Sequence, residues 1–150
     1  MTSFKDVLKS MAVFCGLGPL IGLVIFAAGS SLLAVASGTK DGFWIGPFLL
    51  IYGVLFAHFV GIAWAALAGV VSVSISFLLK RMPTWIGPVS GLVSFVASLH
   101  PKFRMFDGPA LVGDGQSPST FGPAFALVLA ATHIGAAWAS WVMAKRWVGR

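Results

Sequence analysis

Two histidines are the residues of this sequence whose type and spacing could do chemistry inside long uncharged segments. His58 and His133 follow Pro47 and Pro123 at nearly the same interval. An imidazole can ligate haem iron, relay protons, or only hydrogen-bond to a neighbouring helix. Three hypotheses follow: a haem b held by His58 and His133, a polar pathway for protons or a small solute, and structural hydrogen bonding, which we favour.

No arrangement of residues in the sequence indicates an enzyme. It contains no HExxH, GxSxG, CxxC or Walker-type motif and no close pair of carboxylates. Cys15 is the single cysteine, so the sequence allows no internal disulfide and no cysteine cluster that could hold a metal. We therefore expect neither catalytic residues nor a metal site.

The composition identifies the class of protein. Hydrophobic residues make up 58% of the chain and charged residues only 9%, against roughly 25% charged in an average globular domain. The charges fall between four long uncharged segments, each close to the roughly 20 apolar residues that cross a bilayer as a helix. Continuous apolar segments favour helices over a membrane barrel. The sequence therefore predicts an all-α integral membrane protein with four transmembrane helices, at about residues 16–37, 47–78, 84–100 and 122–145.

The ends of the predicted spans carry two further patterns. Ahead of the first span, apolar residues recur at helical spacing between Phe4 and Phe14. They indicate either a separate amphipathic helix at the membrane surface or an extension of the first span. Proline fits the first turn of a helix, where its missing N–H is not needed. We therefore expect helices to begin at four Gly-Pro pairs, which contain Pro19, Pro47, Pro88 and Pro123.

The two halves of the chain resemble each other at an interval of roughly 70–75 residues. The first and third spans share the pattern Gly-Pro-x-x-Gly-Leu-Val-x-Phe, which begins at Gly18 and at Gly87. The second and fourth spans share a Gly-Pro pair followed by His, Gly and Trp at similar spacing. Membrane helices use few residue types, but two matches in the same order favour a duplicated helical hairpin, residues 10–79 and 80–150. The halves would be parallel repeats about an axis along the membrane normal.

Small residues recur at every fourth position of the second predicted span, and bulky apolar residues lie on its other side. Helices associate in lipid through close van der Waals contact, so the small residues should face protein. A shorter set lies on the fourth span. The predicted helix-packing residues are Gly53, Ala57, Gly61, Ala65 and Gly69, with Ala131, Gly135 and Ala139.

Lysine and arginine are distributed unevenly between the two sides of the predicted spans. The side that holds both termini carries Lys5, Lys9, Lys80, Arg81, Lys145, Arg146 and Arg150. By the positive-inside rule, both termini are expected in the cytoplasm. The chain has the general pattern of small bacterial inner-membrane proteins, so we expect it in the inner membrane of a bacterium. Because these membrane boundaries explain the net charge of +6, we expect no nucleic-acid partner.

The segment from residue 100 to residue 120 is the only sizeable part predicted outside the bilayer. Its mixture of basic and aromatic residues suits contact with a membrane surface or a protein partner: Lys102, Phe103, Arg104 and Phe106. We predict a non-catalytic accessory or structural subunit that packs in the lipid bilayer against other membrane proteins or copies of itself. The alternative is a haem-b-binding electron carrier or a small oligomeric transporter centred on His58 and His133.

Overall fold

The structure, a computed structural model, describes residues 3–99 and 123–148. Across these ranges the chain forms four helices and no strand. Three of the helices are long and apolar enough to cross a bilayer, whereas the third has only 13 residues. The protein is therefore an all-α integral membrane protein, as its sequence predicts. The helices are α1 (Phe4–Ala36), α2 (Gly42–Leu79), α3 (Ile86–Ser98) and α4 (Pro123–Val148).

Helix α1 begins twelve residues before the predicted first span, because a capping box starts it there. The Ser3 hydroxyl accepts a hydrogen bond from the backbone N–H of Asp6 at 3.3 Å, and the Asp6 carboxylate accepts one from the Ser3 N–H at 3.2 Å. This reciprocal pairing satisfies two N–H groups that no helical carbonyl can reach. The helix then continues unbroken to Ala36. The amphipathic segment is thus an extension of the first span and not a separate helix.

Two of the four prolines that were expected at helix starts lie inside helices. Pro19 lies near the middle of α1, and Pro47 lies beyond the first turn of α2. The prediction is therefore wrong for these two, since each helix starts earlier in the chain. Membrane helices tolerate an internal proline where neighbouring helices and polar side chains compensate for the lost hydrogen bond. Pro88 and Pro123 lie in the first turns of α3 and α4, as predicted.

The four helices form a bundle in which α1 packs between α2 and α4, and α3 packs between the same two helices on the other side. Gly38, in the turn after α1, has a φ of +79°, a conformation that glycine adopts without strain. This order of helices is compatible with two related hairpins. Their lengths differ, at 33 and 38 residues in the first hairpin and 13 and 26 in the second. The internal repeat stays a prediction.

One half of the bundle is closely packed. Its core contains Phe14, Ile86 and Trp141, and the fully buried Trp141 donates its Nε1–H to the Pro83 carbonyl at 2.8 Å. This bond connects α4 to the turn between α2 and α3. We name this half the basic end, after the described lysines and arginines that flank it: Lys5, Lys9, Lys80, Arg81, Lys145 and Arg146.

The other half of the bundle is less filled, because its helices end at different heights. The Ser94 hydroxyl, near the end of α3, bonds to the carbonyl of Trp64 at 3.1 Å, so α3 ends near the middle of α2. Helix α4 extends further than α3, since a Cβ on Gly29 of α1 would lie 2.8 Å from Val128, and the rings of Phe26 and Phe125 meet edge to face at 5.9 Å. Away from the basic end, the described part of α3 therefore leaves space between α2 and α4.

Candidate functional site

A cavity of about 560 Å³ lies among the four helices and is partly open to the outside. Ligand cavities in proteins typically have volumes of about 300–1,000 Å³. Small or compact residues create the space on the α1 side, where Gly18, Pro19 and Gly22 line it. A Cβ placed on Gly22 would come within 3.5 Å of Thr132 and 3.7 Å of Ala136 on α4. A side chain at Gly22 would therefore contact α4 at the wall of the cavity.

The small residues of α2 form two groups, one that packs on α1 and one that lines the cavity. Gly53 and Gly69 pack directly on α1, since a Cβ at these positions would lie 2.8 Å from Leu23 and 3.0 Å from Met11. The residues between them, Ala57, Gly61 and Ala65, line the cavity. Bulky side chains on the other side of α2 are exposed, as lipid contact requires.

The small residues predicted for α4 do not line the cavity. A Cβ on Gly135 would lie 2.7 Å from Ile25 of α1, so this glycine contributes to helix packing. Ala139 is half-buried, and Ala131 is exposed. The cavity is lined instead by the neighbouring Ala136 and Ala137.

His133 is the one histidine among the described residues that line the cavity. Its Nδ1 lies 2.9 Å from the carbonyl oxygen of Leu129, and its ring meets those of Trp64 and Phe95 at centroid distances of 6.4 and 5.9 Å. Since a carbonyl can only accept, Nδ1 carries the hydrogen, and Nε2 of the neutral ring keeps its lone pair. No described residue donates a hydrogen bond to Nε2.

His58 makes the same local bond, with its Nδ1 3.2 Å from the carbonyl of Val54, but it does not line the cavity. Of the two histidines, only His133 is therefore a residue of this cavity, and the haem b held by both stays a hypothesis. Within residues 3–99 and 123–148, no group of three metal-ligating side chains comes together.

The other hydroxyls that line the cavity differ in whether they have a partner. Ser98 bonds to the carbonyl of Phe95 at 2.7 Å, and Thr132 bonds to that of Val128 at 2.8 Å. Ser140 is fully buried, and its Oγ has no partner in the described chain. Ser140 Oγ and His133 Nε2 are thus two hydrogen-bonding atoms of the lining residues for which residues 3–99 and 123–148 supply no partner.

The cavity has little signature in the sequence, because it depends on where α3 ends relative to α2. One signal is present: Ser140 follows His133 by two helical turns, so both lie on one face of α4. The predicted loop residues Lys102, Phe103, Arg104 and Phe106 lie outside the described ranges. No protein family model, no curated protein and no solved structure matches the chain.

Proposed function

We propose that this membrane protein binds a small, largely apolar molecule in the cavity, with His133 as its main hydrogen-bonding residue. The supporting observation is an open volume of about 560 Å³ that all four helices line. Protein interiors are otherwise close-packed, with few voids larger than a water molecule.

The lining determines which molecules suit the cavity. Most of its side chains are aliphatic or aromatic, and no charged side chain is among the described residues that line it. Burying an unpaired charge in such surroundings is costly, so an ionised ligand is disfavoured. A neutral molecule that is already soluble in the bilayer fits best. Binding of this kind could serve either storage or transport.

The first experiment identifies any small molecule that stays bound to the protein during purification. The wild-type protein is isolated in mild detergent and extracted with organic solvent, and the extract is analysed by mass spectrometry. The test variant is Ala57→Phe, which places a ring in the cavity, and its matched control is Ala63→Phe, at an exposed position of the same helix. We expect a small molecule at about one equivalent in the wild type and the control, and its loss from Ala57→Phe.

Two results would contradict the proposal. One is a wild-type extract that contains only bulk lipid, which would return the protein to the accessory role. The other is a visible absorption spectrum with a Soret band and sharp reduced peaks that disappear in His58→Ala and His133→Ala. That spectrum would support the haem b alternative, in which both imidazoles ligate one iron.

The accessory role stays a second proposal, because the half of α2 that is far from the basic end has little cover. Between residues 43 and 59 this helix contacts α1 along its small-residue side, while aromatic side chains such as Phe48, Phe56 and Phe59 are exposed. They could contact lipid, another membrane protein or a second copy of this chain. Co-purification of a stoichiometric protein partner that Phe56→Ala removes would support this role.

We also propose that the basic end faces the cytoplasm of a bacterial cell and that the protein lies in the inner membrane. Six lysines and arginines flank the basic end, whereas Lys40 is accompanied by Asp41 at the other end of the described chain. This asymmetry supports the orientation through the positive-inside rule. Exposed tryptophans near both ends, Trp44 and Trp147, suit the two membrane surfaces.

A further inference from the structure

We propose that the ligand of the cavity is a neutral aromatic diol of the hydroquinone type, which donates a hydrogen bond from each end. The inference rests on the proposed function and specifies the class of molecule that the cavity accepts. It is carried by two atoms of the lining residues that bond to no other described residue, His133 Nε2 and Ser140 Oγ.

The first end of the ligand must be a hydrogen-bond donor. The Nδ1–H of His133 donates to the carbonyl oxygen of Leu129. The neutral imidazole therefore has only the lone pair of Nε2 left to accept a hydrogen bond from a ligand. A ligand hydroxyl donates its hydrogen to this lone pair. A ligand carbonyl oxygen has no hydrogen to donate, so its own lone pair would face that of Nε2 and be repelled. His133 therefore selects a hydroxyl over a ketone or quinone oxygen.

The second end lies two turns further along α4, at Ser140. This hydroxyl is fully buried without a partner, and its Oγ lies 3.4 Å from the position that a Cβ on Gly18 would take. In the same turn of α1, the carbonyl of Cys15 cannot receive the usual helical bond, because Pro19 has no N–H. A second ligand hydroxyl would supply the missing donor here and pair with Ser140.

The spacing between the two ends suits a single aromatic ring. His133 and Ser140 are separated by two helical turns, or roughly 10 Å, on one face of α4. A benzene ring with hydroxyls at opposite positions, plus a hydrogen bond of about 2.8 Å at each end, spans a similar distance. The lining between them includes the rings of Phe26, Trp64 and Phe125, which favour an aromatic body through edge and stacking contacts.

The test compares three probes of nearly equal shape: tetramethylhydroquinone, its dimethyl ether and tetramethylbenzoquinone. Binding to the detergent-solubilised protein is measured by isothermal titration calorimetry without oxygen, so that the hydroquinone stays reduced. Loss of hydrogen bonds to buried partners weakens binding by about tenfold or more. We expect the hydroquinone to bind at least about tenfold more tightly than either of the other probes.

Matched variants assign each end of the ligand. His133→Phe keeps the aromatic ring and removes the nitrogen, and its control is His58→Phe, which loses the same local bond outside the cavity. Ser140→Ala is paired with Ser30→Ala, because Ser30 Oγ is also buried without a partner but lies off the lining. We expect each cavity variant to lose most of the preference for the hydroquinone and each control to keep it. Gel filtration checks that all four variants are folded.

The outcomes separate this inference from the function on which it rests. Equal binding of the three probes, or a preference that survives in both cavity variants, overturns the diol. If no probe binds while the wild-type protein still carries another small molecule that Ala57→Phe removes, the diol is wrong and the binding function stands. If no probe binds and no small molecule co-purifies, both proposals fail.

Discussion

Ser72 and Ser90 form a buried pair of hydroxyls, in which Ser72 has one hydrogen-bond partner and Ser90 has two. The Ser72 hydroxyl donates to Ser90 Oγ at 2.7 Å, and the Ser90 hydroxyl donates to the carbonyl of Gly87 at 2.8 Å. Both serines are fully buried. Ser90 therefore has a second partner, whereas Ser72 relies on Ser90 alone. In lipid, such bonds hold adjacent helices in register when apolar burial cannot.

Replacing each of these serines by alanine should therefore lower the free energy of unfolding by different amounts. Ser90→Ala leaves the Ser72 hydroxyl buried without an acceptor, at a cost of about 1–3 kcal/mol. Ser72→Ala leaves Ser90 bonded to Gly87, so we expect a loss of less than about 1 kcal/mol. Equilibrium unfolding in mixed micelles measures both free energies. Equal losses in the two variants would show that the pair does not bond as the structure places it.

Trp141 should be sensitive to a change that removes only its N–H. Trp141→Phe keeps much of the buried ring but leaves the Pro83 carbonyl without the donor that lies 2.8 Å away. We expect a loss of about 1–3 kcal/mol in the free energy of unfolding, from the unpaired carbonyl and the smaller ring. The control is Trp138→Phe on the same helix, where the side chain is half exposed and the effect should be within about 0.5 kcal/mol. Similar losses in the two variants would contradict this role of Trp141.

At the scale of helices, glycines determine how closely α3 can approach α4. A Cβ on Gly87 would lie 2.7 Å from the Cα of Trp138, and one on Gly91 would lie 2.6 Å from the carbonyl oxygen of His133. Both neighbours are backbone atoms, which cannot move aside as a side chain can. Helices α3 and α4 can therefore pack this closely only because Gly87 and Gly91 have no Cβ.

Adding one methyl group at two different glycines should have opposite effects. Gly91→Ala forces α3 away from α4, and we expect it to destabilise the protein by about 1–3 kcal/mol. Gly16→Ala adds a methyl group where no atom lies within 4 Å, so the better helix propensity of alanine should leave stability unchanged or raise it by up to about 1 kcal/mol. Thermal unfolding followed by circular dichroism compares the two. A neutral Gly91→Ala would show that α3 and α4 lie further apart.

For the whole molecule, the features that local chemistry decides could be predicted from the sequence, and those that depend on packing could not. Long apolar segments must be helical in lipid, so the helical class of the protein follows from the sequence alone. The starts of α1 and α2 were misplaced because the Gly-Pro signal at Pro19 and Pro47 also occurs inside membrane helices. The cavity depends on where α3 ends relative to α2. Only contacts between helices, such as Ser94 with Trp64, set that position.

The orientation of the whole molecule can be tested at two exposed turns on opposite ends of the bundle. In a Cys15→Ala background, Thr39→Cys places a thiol in the turn between α1 and α2, and Thr84→Cys places one in the turn between α2 and α3. Because lysine and arginine concentrate at the basic end, we expect a membrane-impermeant maleimide to label Thr39→Cys in intact cells. Thr84→Cys should react only after permeabilisation. Labelling of Thr84→Cys in intact cells would reverse the orientation. Labelling of both would mean that α2, which separates the two turns, does not cross the membrane, although its 38 residues exceed the length that a crossing needs.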